Sequence, residues 1–203
     1  MTRMLYQGHG SYRFTLDDGR VIYVDPFAGD GYDKPADLVL VTHNHPDHNR
    51  IDKMPHQPTC TILQAQDFLA ASQKTLSSHG VKMTAVQASN QYHSPDECVG
   101  IVLEIDGVSF YAAGDTSITA DMRNGSLAAL KLDYATFPCD GFYNMTPEEA
   151  SQAAALVKAA HSIPLHLVPV HDADAPTIFD RATAEAFEAP GRIILEPGQE
   201  LEL

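Results

Sequence analysis

Short apolar stretches broken by turn residues dominate the chain, the spacing of a strand-rich protein. Tyr12 to Leu16 and Val21 to Val24 read as two strands joined by Asp17-Asp18-Gly19-Arg20, in which Asp-Gly is a strong hairpin signal. An uninterrupted apolar run follows at Leu38-Val39-Leu40-Val41, and Thr61 to Leu63 is a further short strand. Ala65 to Ser77 has helical composition, with apolar positions at Phe68, Leu69 and Leu76, and His79-Gly80 fits the C-cap of that helix. Val99 to Ile105 and Val108 to Ala113 are paired strands turned by Asp106-Gly107, and Leu132 to Phe137 is another buried strand. Thr146-Pro147-Glu148-Glu149 is a capping box that predicts a helix to about Ala160, with Ala150, Ala153, Ala154 and Val157 inward. Ser162 to His166 is a short strand ending in histidine. Asp180 caps a helix from Arg181 to Glu188, and Arg192 to Glu196 reads as a closing strand.

Composition narrows this picture. A chain of 203 residues with 44% apolar content can bury a full core, and residues 1–203 read as a single domain without linker, repeat or low-complexity tract. Lys and Arg number 13 against 27 Asp and Glu, a net charge of −14, and the cations are scattered. Such a surface repels phosphate backbones, so no nucleic-acid partner is expected and a small-molecule substrate is. No apolar run has signal-peptide or membrane-spanning character, which predicts a cytoplasmic protein without membrane contact. Cys60, Cys98 and Cys139 lack metal-ligand spacing and read as small core residues in a reducing compartment.

The chemistry concentrates in His43-Asn44-His45-Pro46-Asp47-His48-Asn49, directly after the apolar run. Pro46 keeps His45 out of the α region, so His43 and His45 lie in extended chain and point to one side. Pro46 also suits the first position of a helix, which would aim Asp47 and His48 elsewhere. Two ligand pairs facing different directions suit two neighbouring ions. His93 lies in a loop before the Val99 strand and Asp115 follows the Val108 strand; a hairpin returns the chain to its starting end, so the two can lie close together. Each would serve equally well as an ordinary turn residue. His56 and His79 have local explanations, and no chemistry is assigned to them. Asp140, Tyr143 and Asn144 stand in a strand-to-helix loop, where substrates are commonly met, although the same residues could simply build the turn.

The histidine motif resembles that of the metallo-β-lactamase superfamily. The resemblance runs from Gly8 to about Pro197 and implies a four-layer αββα sandwich of the α/β class. It implies that His43, His45 and His93 hold one ion and Asp47, His48 and His166 a second, with Asp115 between them. It gives Asp25 the role of supporting the metal loop by hydrogen bonds. It also sets His9, in Gly8-His9-Gly10-Ser11, near the substrate. His171, five residues beyond His166, competes as the last ligand, with His166 favoured because it ends the apolar run. Within the superfamily the chain looks most like short metal-dependent hydrolases related to L-ascorbate 6-phosphate lactonases, on Gly8-His9-Gly10-Ser11, Ala113-Gly114-Asp115-Thr116 and the Pro138 to Asn144 loop.

Nitrogen and carboxylate ligands without thiolate suit two divalent ions, zinc or manganese, with iron also compatible. Two such ions acidify a shared water, and the resemblance implies a hydrolase in which the resulting bridging hydroxide attacks a small ester, lactone or phosphoester. Asp47 would be catalytic, orienting the nucleophile and passing a proton to the leaving group. The alternatives are a metal-dependent nuclease, a di-iron redox protein and a metal-stabilised binding protein. Imidazole at His45, where the redox branch of the superfamily usually has glutamate, favours hydrolysis.

Overall fold

Leu38 and Leu40 point to one side of their strand, Val39 and Val41 to the other, and all four are buried. That strand therefore lies in a sheet covered on both faces. A computed structural model describes residues 1–203 other than 171, 173 and 176. The first sheet contains β1 (Arg3–Gly8), β2 (Ser11–Thr15), β3 (Val21–Val24), β4 (Ala36–Val41) and β5 (His56–Gln64). After α1 (Ala65–Ala70), the second contains β6 (Thr75–Ser78), β7 (Val81–Gln87), β8 (Val99–Ile105) and β9 (Val108–Ala112). Beyond α2 (Ala120–Arg123), β10 (Tyr134–Pro138) and β11 (His161–Leu165) flank α3 (Pro147–Val157) and complete it. After α4 (Arg181–Ala186), β12 (Glu200–Glu202) returns to the edge of the first sheet.

The strand orders are β12-β1-β2-β3-β4-β5 and β6-β7-β8-β9-β10-β11. Read in those directions, each sheet has three antiparallel pairings followed by two parallel ones. The two halves thus share one plan, in which β3 corresponds to β9, β4 to β10 and β5 to β11. Inward residues such as Phe14, Ile22, Leu40, Ile101, Leu103 and Phe110 fill the space between the sheets. Outside the second sheet, Ala150, Ala153, Ala154 and Val157 of α3 and Phe187 after α4 pack on Tyr111, Ala135 and Phe137. Outside the first sheet, Tyr23, Val39 and Val41 are covered by Tyr32 and Met54 from connecting chain. The αββα sandwich is the architecture, with irregular chain forming much of this last layer.

Several local expectations change. The predicted Ala65 to Ser77 helix stops at Ala70, and Thr75–Ser78 pairs with β7 instead. His79 and Gly80 both have positive φ, 47° and 72°, and form the turn of that hairpin. The left-handed pair that fits a helix C-cap fits a tight β-turn equally well. Pro46 begins a single turn closed by His48 N–H to the His45 carbonyl at 3.0 Å, and the chain does not continue as a helix. α3 ends at Val157, three residues early, on a left-handed Lys158. Arg192 to Glu196 makes only an isolated bridge to Ser162, and the closing strand is β12, paired with β1.

Candidate metal centre

Ligand-bearing residues gather at the carboxyl ends of corresponding strands in the two sheets: Asp25 after β3, His43 after β4, Asp115 after β9, Asp140 after β10 and His166 after β11. Loops at these ends carry binding groups in α/β layers because parallel strands all finish there. The sheets are joined at this edge, where Val99 N–H donates to the Thr42 carbonyl at 3.0 Å and His43 bridges Cys98.

Three overlapping groups result, each with its possible ligand atoms within 4.8 Å of one another. His43, His45 and His93 form the first; their ring centroids are 4.6 to 4.9 Å apart. His9, Asp47, His48 and His166 form the second, and His43, His48 and Asp115 make a third that links the two. Asp115 Oδ1 lies 3.2 Å from His48 Nε2 and 3.5 Å from His166 Nε2. The seven ligand candidates are therefore together, with His9 an eighth group beside them.

The ring orientations are set from behind. Asp25 accepts the Thr42 N–H and the Thr42 hydroxyl, both at 2.7 Å, and its Oδ2 is 3.0 Å from His48 Nδ1. Because the Thr42 hydroxyl proton goes to Asp25, His43 Nδ1, 3.1 Å from that oxygen, must be the donor. His43 therefore keeps the lone pair of Nε2, and the Asp25 carboxylate faces Nδ1 of His48 in the same way. Asp140 Oδ2 lies 3.1 Å from His166 Nδ1, so a carboxylate stands behind that ring as well. Two glycines make the approach feasible. A Cβ at Gly114 would sit 2.8 Å from Thr42 Oγ1, and one at Gly10 would sit 2.9 Å from His48 Cε1.

Among the buried atoms with no hydrogen-bond partner are His43 Nε2, His48 Nε2, His93 Nδ1, Asp115 Oδ1, His9 Nδ1 and both ring nitrogens of His166. Burying polar atoms unpaired costs free energy, and divalent cations held by these groups would supply the missing partners. The residues present fit such ions. The charges differ between the groups: burial would lower His48 and His166, but the Asp115 carboxylate, with Asp25 at His48 and Asp140 at His166, outweighs it and holds both above the usual imidazole range. Burial holds the His43 and His93 rings below the usual imidazole range, which leaves them neutral bases. For Asp115, burial alone would raise the carboxyl, but His166 and His48 outweigh it and keep it well below the usual range.

Other assignments shift. His9 does not face a substrate cavity: it is fully buried, its Nε2 is 3.3 Å from Asp47 Oδ2, and its ring centroid is 3.7 Å from that of His166. Its carbonyl accepts the His166 N–H at 2.8 Å, which fixes it under the site. Asp140 is likewise taken from the substrate side, since besides approaching His166 it accepts the N–H groups of Phe142, Tyr143 and Asn144. Asn144 is spent on joining loops, donating to Asp140 at 2.8 Å and accepting from Asn90 at 3.0 Å. Tyr143 does line a pocket of about 170 Å³ together with Asp115, His45, His93 and Tyr92. A second cleft of about 310 Å³ extends from the histidines between Asn44, Gln66, Tyr92 and Glu97. Tyr92 is a site residue not singled out from the sequence, where an aromatic directly before the candidate ligand His93 was the signal available. A larger cavity of about 430 Å³, between Pro147 and Ala186, touches none of these groups. His171, the competing last ligand, lies outside the described residues. No helix among the described residues is long and apolar enough to cross a membrane.

The profile of a family described as the beta-lactamase superfamily domain matches residues 3–166. The UPF0173 metal-dependent hydrolase of Thermococcus onnurineus is 30% identical, with both chains covered in full. That of Methanoculleus marisnigri is 32% identical over 81% of this chain and 80% of its own. Among solved structures, a protein assigned as a metal-dependent hydrolase from Parabacteroides distasonis superposes with a TM-score of 0.71 at 27% identity, over 95% of this chain and 90% of the other. With two six-stranded mixed sheets and a buried His/Asp cluster at their shared edge, the chain belongs to the metallo-β-lactamase superfamily and is a metal-dependent hydrolase.

Proposed function

We propose that the chain binds two divalent metal ions, one at His43, His45 and His93 and one at Asp47, His48 and His166, with Asp115 shared, and hydrolyses a small ester, lactone or phosphoester. The observation that carries this reading is the group of buried ligand nitrogen and oxygen atoms, aimed at one region without hydrogen-bond partners. Bound there, the cations would supply Lewis acidity and a water acidified enough to act as nucleophile near neutral pH.

The chain's own groups divide the remaining work. Asp25 and Asp140 stand beside Nδ1 of His48 and of His166, which leaves each ring's Nε2 facing the cluster. Asp47 is the proposed proton carrier, taking a proton from the attacking water and giving it to the departing oxygen. His9, 3.3 Å from Asp47 Oδ2, positions that carboxylate. The pocket beside Asp115 and the adjoining cleft leave room for the substrate next to the first cluster.

The test is elemental analysis of protein purified without chelator, followed by a screen of lactones, aryl esters and phosphodiesters. Close to two metal ions per chain, loss of turnover on chelation and recovery with zinc or manganese are expected. Full turnover by a metal-free preparation would overturn the reading.

A further inference from the structure

Two loops rise over the first histidine cluster, 88–98 between β7 and β8 and 139–146 between β10 and α3, and both present aromatic rings. Tyr92 is 48% exposed and Phe142 is 58% exposed, two of only four exposed large apolar side chains described. The Tyr92 and Tyr143 rings meet edge to face at 5.1 Å, and Phe142 meets Tyr143 the same way at 4.7 Å. The loops are tied by Asn90 Nδ2 to Asn144 Oδ1 at 3.0 Å and by Gln91 Nε2 to the Phe142 carbonyl at 3.3 Å. The aromatic wall is therefore joined across the two loops. Exposed apolar groups gathered at the mouth of a polar site mark a binding surface.

The charge of the same walls is informative. Among the described residues no Lys or Arg lines either cavity at the site, whereas Glu97 lines the larger one. A phosphate group away from the reacting bond would want a guanidinium, an ammonium or a helix N-terminus, and would meet a carboxylate instead. The net charge of −14 further lowers the local concentration of anions.

Resting on the hydrolase reading above, we propose that the substrate is an uncharged carboxylic ester or lactone carrying an apolar group, and that this group packs against Tyr92 and Tyr143. Its cleavage consumes one water: the acyl C–O bond breaks, a new C–O bond forms to the water oxygen, one proton ends on the alcohol, and the acid loses its own to solvent. No oxidant or reductant is involved. The pocket of about 170 Å³ lined by both tyrosines suits a ring or short alkyl chain beside the reacting carbonyl, and the adjoining cleft of about 310 Å³ leaves room for the rest of a substrate of modest size.

The experiment uses zinc- or manganese-loaded protein and compares γ-phenyl-γ-butyrolactone with γ-butyrolactone and with a phosphorylated sugar lactone. The phenyl lactone should exceed the unsubstituted one in kcat/KM by about tenfold or more, the increment expected from a well-packed aromatic contact. The phosphorylated lactone should lie below both. Tyr92→Ala should reduce the phenyl preference about tenfold, and Tyr92→Phe should retain it. A parallel equilibrium-dialysis measurement with the stable lactams 5-phenylpyrrolidin-2-one and pyrrolidin-2-one reads the same preference without turnover. Tyr92-dependent binding of the phenyl lactam without lactone cleavage would sink the hydrolase reading and keep the apolar wall. Cleavage of all three lactones at similar rates, or a phenyl preference untouched by Tyr92→Ala, would overturn the inference.

Discussion

Asp140 Oδ2 lies 3.1 Å from His166 Nδ1, on the side of the ring away from Asp115. The arrangement repeats what Asp25 does for His48 at 3.0 Å, so each sheet contributes a carboxylate that stands behind an imidazole. Such partners hold a ring in one tautomer and raise its basicity as a ligand. If two ions bind as proposed, Asp140→Asn is expected to weaken the one at Asp47, His48 and His166 by about 10- to 100-fold while leaving the one at His43, His45 and His93 nearly unaffected. Competition titration with a chromogenic chelator reads both steps, and two unchanged affinities would deny Asp140 this role.

Asp25 is buried and holds Thr42 through two hydrogen bonds as well as His48. Asp25→Ala leaves a buried N–H, a hydroxyl and an imidazole without their acceptor, at a cost of about 3 kcal/mol. The loss should appear in urea unfolding of the chelated protein, because Thr42 and the backbone depend on Asp25 without metal. Equal stability of variant and parent would show that this carboxylate serves the metal alone.

Gly114 has φ of 62°, and a Cβ there would press on Thr42 Oγ1, Cβ and Cγ2 between 2.8 and 3.1 Å. Gly114→Ala should therefore displace the Thr42 hydroxyl that relays Asp25 to His43, with about 1–3 kcal/mol of destabilisation. Metal affinity at the first cluster should fall with it. A substitution at Gly19, where the added carbon meets nothing within 4 Å, provides the comparison for backbone strain alone.

Stability of the metal-free protein should peak near pH 6.5. Burial, helped by the nearby His166, pulls His9 from 6.5 to about 3, so below pH 6.5 the unfolded chain takes a proton that the folded one refuses, and stability falls with pH. His166 behaves oppositely: burial would lower it, but the carboxylates of Asp115, Asp140 and Asp47 raise it to about 10. Its contribution is complete below pH 6.5 and lost as pH climbs towards 10. Metal bound as proposed would displace the His166 proton, so metal affinity should rise with pH and offset the alkaline loss. Urea midpoints against pH, with and without metal, test both limbs; an alkaline limb unchanged by metal would contradict the displacement.

The sequence by itself carried the local chemistry. His43, His45, Asp47 and His48 lie within six positions, and the strand-turn signals at Asp18-Gly19 and Asp106-Gly107 depend only on neighbouring residues. Resemblance of motif extended this to His93, Asp115 and His166. Long-range pairing decided the rest. Thr75–Ser78 became a strand because β7 offered it an edge, and the left-handed His79-Gly80 pair suits either outcome. His9 and Asp140 looked like loop residues near a substrate, but strand order within each sheet set one against Asp47 and the other against His166, and His9 also meets His166 across the two sheets. Spacing along a chain fixes which groups can share a turn. Which groups share a cavity depends on strands that meet across more than a hundred residues.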